Sequence, residues 1–177
     1  MRFSLILSLT GTLIAFFGLS FLFPIITGLI LGENIIDILS MFVIPMFFCL
    51  IFGYIFSSYF HIEEDIRNRE AFALVSIAWI IMVLVSAFPY YAAERGELMS
   101  YQVGIAGAIF ESMSGLTTTG ATILEITDEN QVINNEQYSE GYFDAPKSLL
   151  LWRSQTQWLG GMGIIVLATI IFSRLFG

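Results

Sequence analysis

The sequence is poor in charge, in cysteine and in histidine. Only 12% of its 177 residues are charged, while 56% are hydrophobic; a soluble domain carries about twice that share of charge. The formal net charge is −8, so the chain has no basic surface for phosphates, and a nucleic-acid partner is excluded. Its single cysteine, Cys49, excludes an internal disulfide, and its single histidine, His61, excludes a histidine-based zinc centre. Most classes of soluble enzyme are thereby excluded.

Long stretches without charge predict the membrane segments. The longest runs for thirty residues, and three others run for twenty or twenty-three. A helix needs about 20 apolar residues to cross the hydrocarbon core of a bilayer. The sequence therefore predicts four transmembrane helices, over 4–30, 38–60, 71–93 and 150–173. Pro24, near the end of the first, predicts a kink or a helix end there.

Basic residues in the short loops predict the orientation. Arg2 precedes the first segment, Arg67 and Arg69 lie between the second and third, and Arg174 follows the last. Loops rich in Lys and Arg stay in the cytoplasm. We therefore expect a multi-pass protein of the inner (plasma) membrane, with a cytoplasmic amino terminus and with residues 94–149 outside.

A fifth apolar stretch, over 103–123, contains one charge, Glu111, and many Gly, Ser and Thr residues. Treated as a full span, it would make the number of crossings odd and would worsen the distribution of basic residues. The sequence instead predicts a short helix over 103–114, followed by an extended polar run that turns back. Non-helical backbone at membrane depth must be buried in protein or line a watery cavity.

The predicted fold class is accordingly an all-α integral membrane protein. Residues 1–60 form an amino-terminal transmembrane hairpin in this prediction. Residues 71–177 form a helix, a re-entrant helix with its loop, and a second helix.

The uncharged run over 112–122 holds four threonines and two glycines. A dehydrated cation in a pore needs a ring of oxygens, which backbone carbonyls can supply. Gly120 permits the unusual dihedral angles that such a strand requires. A Ser/Thr-rich turn between two helices explains the same composition, and the residues alone leave both interpretations open.

Two motifs carry a resemblance to a known family. The run Phe110–Thr122, FESMSGLTTTGAT, resembles the first pore loop of the TrkH/KtrB potassium transport family. The run Leu151–Val166, LWRSQTQWLGGMGIIV, resembles the start of the pore-lining helix that follows. Residues 1–60 are similar to the extra amino-terminal helix pair of the TrkH branch in hydropathy alone.

The resemblance implies a potassium pore built from four linked helix–pore loop–helix repeats of the potassium-channel type, of which residues 71–177 form one. The transported ion is then K⁺, with no cofactor. It implies dimers and a cytoplasmic nucleotide-binding regulator of the TrkA/KtrA type. It places K⁺ on the backbone of Thr118, Thr119 and Gly120. Glu111 is the acid at membrane depth, and we favour a role in bracing the pore helix through a hydrogen bond over direct ion binding. Gly115 is the second predicted support of that helix. The whole implied filter strand consists of Thr118, Thr119, Gly120, Ala121 and Thr122.

The chain holds one such repeat, and a single repeat cannot enclose a pore. Transport then requires copies of the chain or further repeats in the bilayer. The alternative is a truncated fragment that folds and assembles without transporting. An intramembrane enzyme built on Glu111 would need a base or metal ligands nearby, and the sequence supplies neither; we predict that the protein is not an enzyme.

Three further features have competing interpretations. Arg153 pairs with an acid or extends its charge to the membrane surface, and the second is favoured. Trp152 and Trp158 fit an interfacial belt of aromatic residues. The glycines Gly160, Gly161 and Gly163 indicate either a close backbone approach behind the filter or ordinary small-residue helix packing.

Overall fold

The computed structural model describes residues 3–59, 68–99, 103–124, 132–133, 136–137 and 145–176. Within them the chain is helical apart from one pair of two-residue strands, which confirms the predicted all-α class. In chain order the elements are α1 (Phe3–Leu19), α2 (Leu22–Ile30), α3 (Ile35–Ile38), a π-helical turn (Leu39–Val43), α4 (Ile44–Tyr59), α5 (Asn68–Arg95), α6 (Gly104–Leu116), β1 (Val132–Ile133), β2 (Glu136–Gln137) and α7 (Lys147–Phe176).

Three helical stretches are long and apolar enough to cross a membrane, namely Ser4–Ile30, Ile35–Ser58 and Arg69–Arg95. They confirm the first three predicted spans. The fourth, 150–173, lies within α7, a helix of 30 residues. Most side chains in its second half lie outside the described residues, so its crossing stays a prediction. The loop arginine Arg67 also lies outside them.

Pro24 breaks the first span, as predicted. Proline has no N–H to give to the carbonyl four residues earlier, which here belongs to Ser20. Helix α1 ends at Leu19, and α2 begins at Leu22. The Ser20 carbonyl accepts the N–H of Phe23 at 3.3 Å and, at 2.8 Å, the side-chain amide of Gln155 in α7. The kink thus creates an acceptor that another helix uses.

Helices α1 and α4 pack through glycines. A Cβ added at Gly53 would lie 2.7 Å from the Gly11 carbonyl oxygen and 2.7 Å from the Ala15 Cβ. A Cβ at Gly18 would lie 2.7 Å from that of Cys49, which is buried. All three distances are too short for real side chains, so these glycines allow the two backbones to approach closely, as small residues do between membrane helices.

Trp152 of α7 lies at the centre of the buried core and is fully buried. Its ring stacks on Phe21 at 4.2 Å between centroids and meets the edges of Phe17 and Phe42. Its indole N–H donates to the Ser86 carbonyl of α5 at 3.1 Å. The prediction of an interfacial position is therefore wrong for Trp152, because both its apolar ring and its donor find partners inside the protein.

Glu33 connects the loop after α2 to the first turn of α7. Its carboxylate accepts the backbone N–H of Ser148 at 3.0 Å and the hydroxyl of the same residue at 2.5 Å. The first N–H groups of a helix lack partners within the helix and carry partial positive charge. Glu33 therefore stabilises the start of α7 from a position 115 residues earlier in the chain.

Candidate functional site

Helix α6 descends from the end of α5 to about the middle of the third span. The Glu94 carboxylate accepts the N–H of Gly104 at 2.7 Å, where α6 begins. Two turns later, the Ser112 hydroxyl donates to the Val83 carbonyl at 2.6 Å and also contacts the Ser86 hydroxyl. Val83 lies near the middle of Arg69–Arg95. About eleven residues at 1.5 Å each separate it from Glu94, which corresponds to about half of a bilayer core.

The chain leaves α6 through a tight turn at Thr118. The N–H of Thr119 bonds to the Ser114 carbonyl at 3.1 Å, and that of Thr118 bonds to Gly115 at 3.0 Å. This pattern is the Schellman motif, whose left-handed residue is usually glycine. Here it is Thr118, with φ of 58°. A β-branched residue with positive φ is an outlier that the surrounding contacts must hold in place.

Residues 117–124, which we call the return segment, run back along α6. The Ser114 hydroxyl donates to the Ala121 carbonyl at 2.5 Å. The Glu111 carboxylate accepts the Thr122 hydroxyl at 2.7 Å and the Ile123 N–H at 2.5 Å. Contacts thus move towards the start of α6 as the segment proceeds, which is the predicted reversal. The short helix itself ends two residues later than expected.

Gly120 has φ of 77°. This is an unusual dihedral angle of the kind that glycine was expected to permit at this position. A Cβ there would meet no atom within 4 Å, so its backbone conformation and not a lack of space requires glycine. The side chains of Thr117 and Thr119 bond to each other, and Thr117 also bonds to the Met113 carbonyl, as expected for local hydroxyl bonding. The carbonyl oxygens of Thr118 and Thr119 accept no hydrogen bond from the described residues.

Arg153 joins the return segment to α6. Its Nε donates to the Glu111 carboxylate at 3.1 Å, and its Nη2 donates to the Gly120 carbonyl at 3.1 Å and, at 3.5 Å, to that of Ala121. The Glu111 side chain is fully buried, and that of Arg153 is 15% exposed. The favoured sequence interpretation of Arg153, an extension to the membrane surface, is wrong, because a buried carboxylate lies within its reach.

Helix α7 approaches the end of α6 without an intervening side chain. A Cβ at Gly160 would overlap the Leu116 backbone, lying 2.7 Å from its carbonyl carbon. A Cβ at Gly115 would lie 3.3 Å from the Thr156 Cβ and closer still to its hydroxyl. Gly161 and Gly163 have only ordinary van der Waals neighbours. Close backbone approach therefore holds for Gly160 and not for the other two.

The predicted site residues come together in one place. Thr118, Thr119, Gly120, Ala121 and Thr122 share the exposed return segment, with Glu111 and Gly115 buried behind it. Sequence reasoning missed the Ser114 and Thr156 contacts and the partner of Arg153. One signal for that partner was available: Glu111 and Arg153 are isolated opposite charges in apolar surroundings, and such residues commonly pair inside membranes.

Comparisons with known proteins identify the family. The TrkH family, described as a cation transport protein, matches residues 38–177. The Trk system potassium uptake protein TrkH of Vibrio parahaemolyticus is 31% identical over 97% of this chain and 31% of its own length. The protein of the same name from Halomonas elongata is 30% identical over 99% of this chain and 32% of its own.

The fold agrees with this match. The crystal structure of the potassium transporter TrkH from Vibrio parahaemolyticus superposes with a TM-score of 0.75 and 29% identity, over 97% of this chain and 32% of that one. The chain thus spans about a third of the relatives it matches. It is an integral membrane protein and not an enzyme, and it belongs to the TrkH family of cation transport proteins.

Proposed function

We propose that this chain supplies one wall of a potassium pathway, with residues 118–122 of the return segment as its filter strand. The observation that carries the proposal is the position of that segment. It is non-helical and, apart from the buried Leu124, exposed, and it starts at about the middle of the membrane. Exposed polar backbone at this depth requires either a water-filled path or covering protein. In a family of cation transporters, a cation path meets that requirement.

The oxygens of the segment suit a dehydrated potassium ion. The carbonyls of Thr118 and Thr119 are free of hydrogen bonds within the described residues, and the positive φ of Gly120 changes the direction of the strand beyond them. Backbone carbonyls from several strands can replace the hydration shell of K⁺. In this proposal Thr118, Thr119 and Gly120 contribute carbonyls, Ala121 and Thr122 complete the strand, and Glu111 and Gly115 support it from α6.

Conduction requires more than this chain alone. An ion needs oxygens on several sides, and the described residues contain one return segment. We therefore propose that the hairpin of residues 1–60 and the repeat of residues 71–177 assemble with further repeats or copies in the bilayer. Control by a cytoplasmic nucleotide-binding protein of the TrkA/KtrA type belongs to the same proposal. An isolated chain that folds without transporting is the expected behaviour of the monomer.

The proposed orientation in the inner membrane puts the amino terminus in the cytoplasm and the return segment on the outer side. With Cys49 replaced by alanine, single cysteines at Arg69 and Lys147 would occupy opposite faces; both positions are exposed. A membrane-impermeant thiol reagent added to intact cells should label Lys147→Cys and not Arg69→Cys. Equal labelling of both would contradict this topology.

The filter assignment is tested in a complete pore. We define the complete transporter as the Vibrio parahaemolyticus relative with its matching third replaced by this chain, expressed in cells that lack other potassium uptake. Gly120→Ser should lower the preference for K⁺ over Na⁺, because serine is strained at positive φ and shifts the adjoining carbonyls. Thr117→Ser keeps the hydroxyl at the start of the segment and should leave the preference unchanged. The reverse pattern would refute the assignment.

A further inference from the structure

We infer that Arg153 is a positioning residue for the filter strand, and that it sets the ion preference of this repeat while Glu111 cancels its charge. The inference rests on the proposed function of residues 118–122. Neither the resemblance nor the composition assigns this role to Arg153. The hydrogen bonds at Glu111, Gly120 and Ala121 carry it.

The guanidinium spans two parts of the molecule at once. Its Nε is bound to Glu111 of α6, and its Nη2 reaches two successive carbonyls of the return segment. A guanidinium is planar and holds its donors in a rigid fork. With Nε bound to the carboxylate, the fork directs Nη2 at the return segment. There its hydrogen bonds restrain the peptide groups that carry the Gly120 carbonyl and, more weakly, the Ala121 carbonyl.

The hydrogen bond from Arg153 orients the Gly120 carbonyl and leaves its oxygen able to bind an ion. A carbonyl oxygen has two lone pairs, so one can accept from Nη2 while the other remains for an ion. The Ala121 oxygen has a second donor, the Ser114 hydroxyl at 2.5 Å. Gly120 depends on Arg153 alone among the described residues. Because glycine imposes the weakest conformational limits, this residue needs an external restraint most.

Charge gives Glu111 its part in the arrangement. A guanidinium beside a cation path repels cations unless an opposite charge lies next to it. Glu111 supplies that charge at 3.1 Å and is fully buried, so water screens the pair little. The same carboxylate accepts bonds from Thr122 and Ile123. Glu111 therefore neutralises Arg153 and holds the far end of the strand.

Geometry and charge can be separated by four variants of the complete transporter. Arg153→Gln removes the positive charge and the fork of donors, whereas Arg153→Lys keeps the charge but loses the fork. Glu111→Gln leaves the guanidinium uncompensated, and the double variant Glu111→Gln/Arg153→Gln removes both charges. Arg95→Gln is the matched control, since it removes a guanidinium that is exposed and contacts Tyr91 of its own helix. Uptake is measured against K⁺ concentration and with competing Na⁺, normalised to the amount of protein in the membrane.

We expect Arg153→Gln and Arg153→Lys to lower the K⁺/Na⁺ preference about ten-fold, because glutamine loses the charged donor and lysine loses the planar fork that reaches Glu111 and the strand together. Glu111→Gln should raise the KM for K⁺ about ten-fold through uncompensated repulsion. In the double variant the KM for K⁺ should return most of the way to the parental value, while the K⁺/Na⁺ preference stays low. A residue with a merely structural role would not show such recovery. Arg95→Gln should match the parent in both measurements.

The inference is overturned if Arg153→Lys keeps the parental preference, or if the double variant has a KM as high as Glu111→Gln. Gly120→Ser separates this failure from that of the proposed function. If Gly120→Ser changes the preference and the Arg153 variants do not, the filter strand stands and the role of Arg153 falls. If none of these variants changes the preference, the filter assignment itself fails.

Discussion

The amino-terminal hairpin and the α5–α7 repeat are held together in different ways. In the hairpin, α1 and α4 meet through Gly11, Gly18 and Gly53, with backbone close to backbone. Among the described side chains of residues 4–58, no hydrogen bond joins α1 to α4; the hydroxyls of Thr12 and Ser20 both bond to carbonyls of α1. In the repeat, α6 is bound to α5 through Ser112 and to α7 through the ion pair of Glu111.

The difference follows from what each region must hold. Two regular helices satisfy their own backbone groups, so close packing of small residues is sufficient to join them in lipid. The return segment lacks such internal bonds and depends on side chains from α6 and α7. Buried polar networks fix one arrangement when every member has a partner, and they are sensitive to the loss of any single one. We therefore expect hairpin variants to change stability, and repeat variants to change ion preference as well.

The largest effect is expected at Trp152, where the two regions meet. Trp152→Ala removes the ring stacked on Phe21 and leaves the Ser86 carbonyl without its indole donor. We expect a loss of about 3–5 kcal/mol in stability, as for other large cavities, with most uptake lost. Thermal unfolding of the purified complete transporter measures it. Trp158→Ala is the control, since Trp158 is 63% exposed; equal losses from both would show that Trp152 does not join the regions.

Gly160→Ala should have the next largest effect. The new Cβ would overlap the Leu116 backbone, which no change of rotamer can relieve. We expect a loss of about 2 kcal/mol from overpacking, and a lowered K⁺/Na⁺ preference because α7 carries Arg153. Gly163→Ala, whose Cβ would lie 3.8 Å from Trp79, should change neither. Similar stability and preference for the two variants would contradict close approach at Gly160.

Gly53→Ala tests the other side of the comparison. Its Cβ would approach the Gly11 carbonyl oxygen and the Ala15 Cβ to 2.7 Å. We expect stability to fall by about 1.5 kcal/mol while the K⁺/Na⁺ preference of the folded protein stays that of the parent. Ser58→Ala, at an exposed position further along α4, serves as the control for stability. A change in ion preference at Gly53 would show that the hairpin shapes the filter directly.

The smallest effect is expected for Glu33→Gln. The amide oxygen can still accept from Ser148, but the negative charge at the start of α7 is lost. We expect a loss of about 0.5–1 kcal/mol, typical of helix caps and of charges near a helix end. Raising the salt concentration should shrink the gap in melting temperature between the parent and this variant. A gap that salt leaves unchanged would argue against a charge effect.

Much of the fold could be predicted because it depends on local properties of the sequence. Uncharged runs predicted three spans within a few residues, and the excess crossing implied a short helix with a reversal after it. The sequence hypothesis of a strand that presents its carbonyls predicted unusual dihedral angles at Gly120, and this residue has a positive φ. Pro24 predicted the kink because its missing N–H affects a carbonyl only four residues earlier in the chain.

The remaining features depend on pairs of residues that are far apart in sequence. Arg153 and Glu111 lie 42 positions apart, and Glu33 and Ser148 lie 115 apart. Periodicity and charge counts do not give the direction of a side chain on a helix whose neighbours are unknown. Trp152 shows the same limit, because an aromatic residue near a helix start fits an interface and a core equally well. The left-handed Thr118 gave no signal, since glycine is the residue expected there.

The kink at Pro24 has a consequence for the rotation of α7 about its own axis. At about 100° per residue, Ser148, Trp152 and Gln155 lie on one side of α7, and Arg153, Thr156 and Gly160 lie about a quarter-turn away. The first set contacts the hairpin and α5, and the second faces α6 and the return segment. The Ser20 carbonyl, which lacks a donor at Pro24, accepts the Gln155 amide as well as the Phe23 N–H and so restrains the rotation of α7. A kink in the amino-terminal hairpin thereby contributes to the direction in which α7 presents the guanidinium of Arg153 to the return segment.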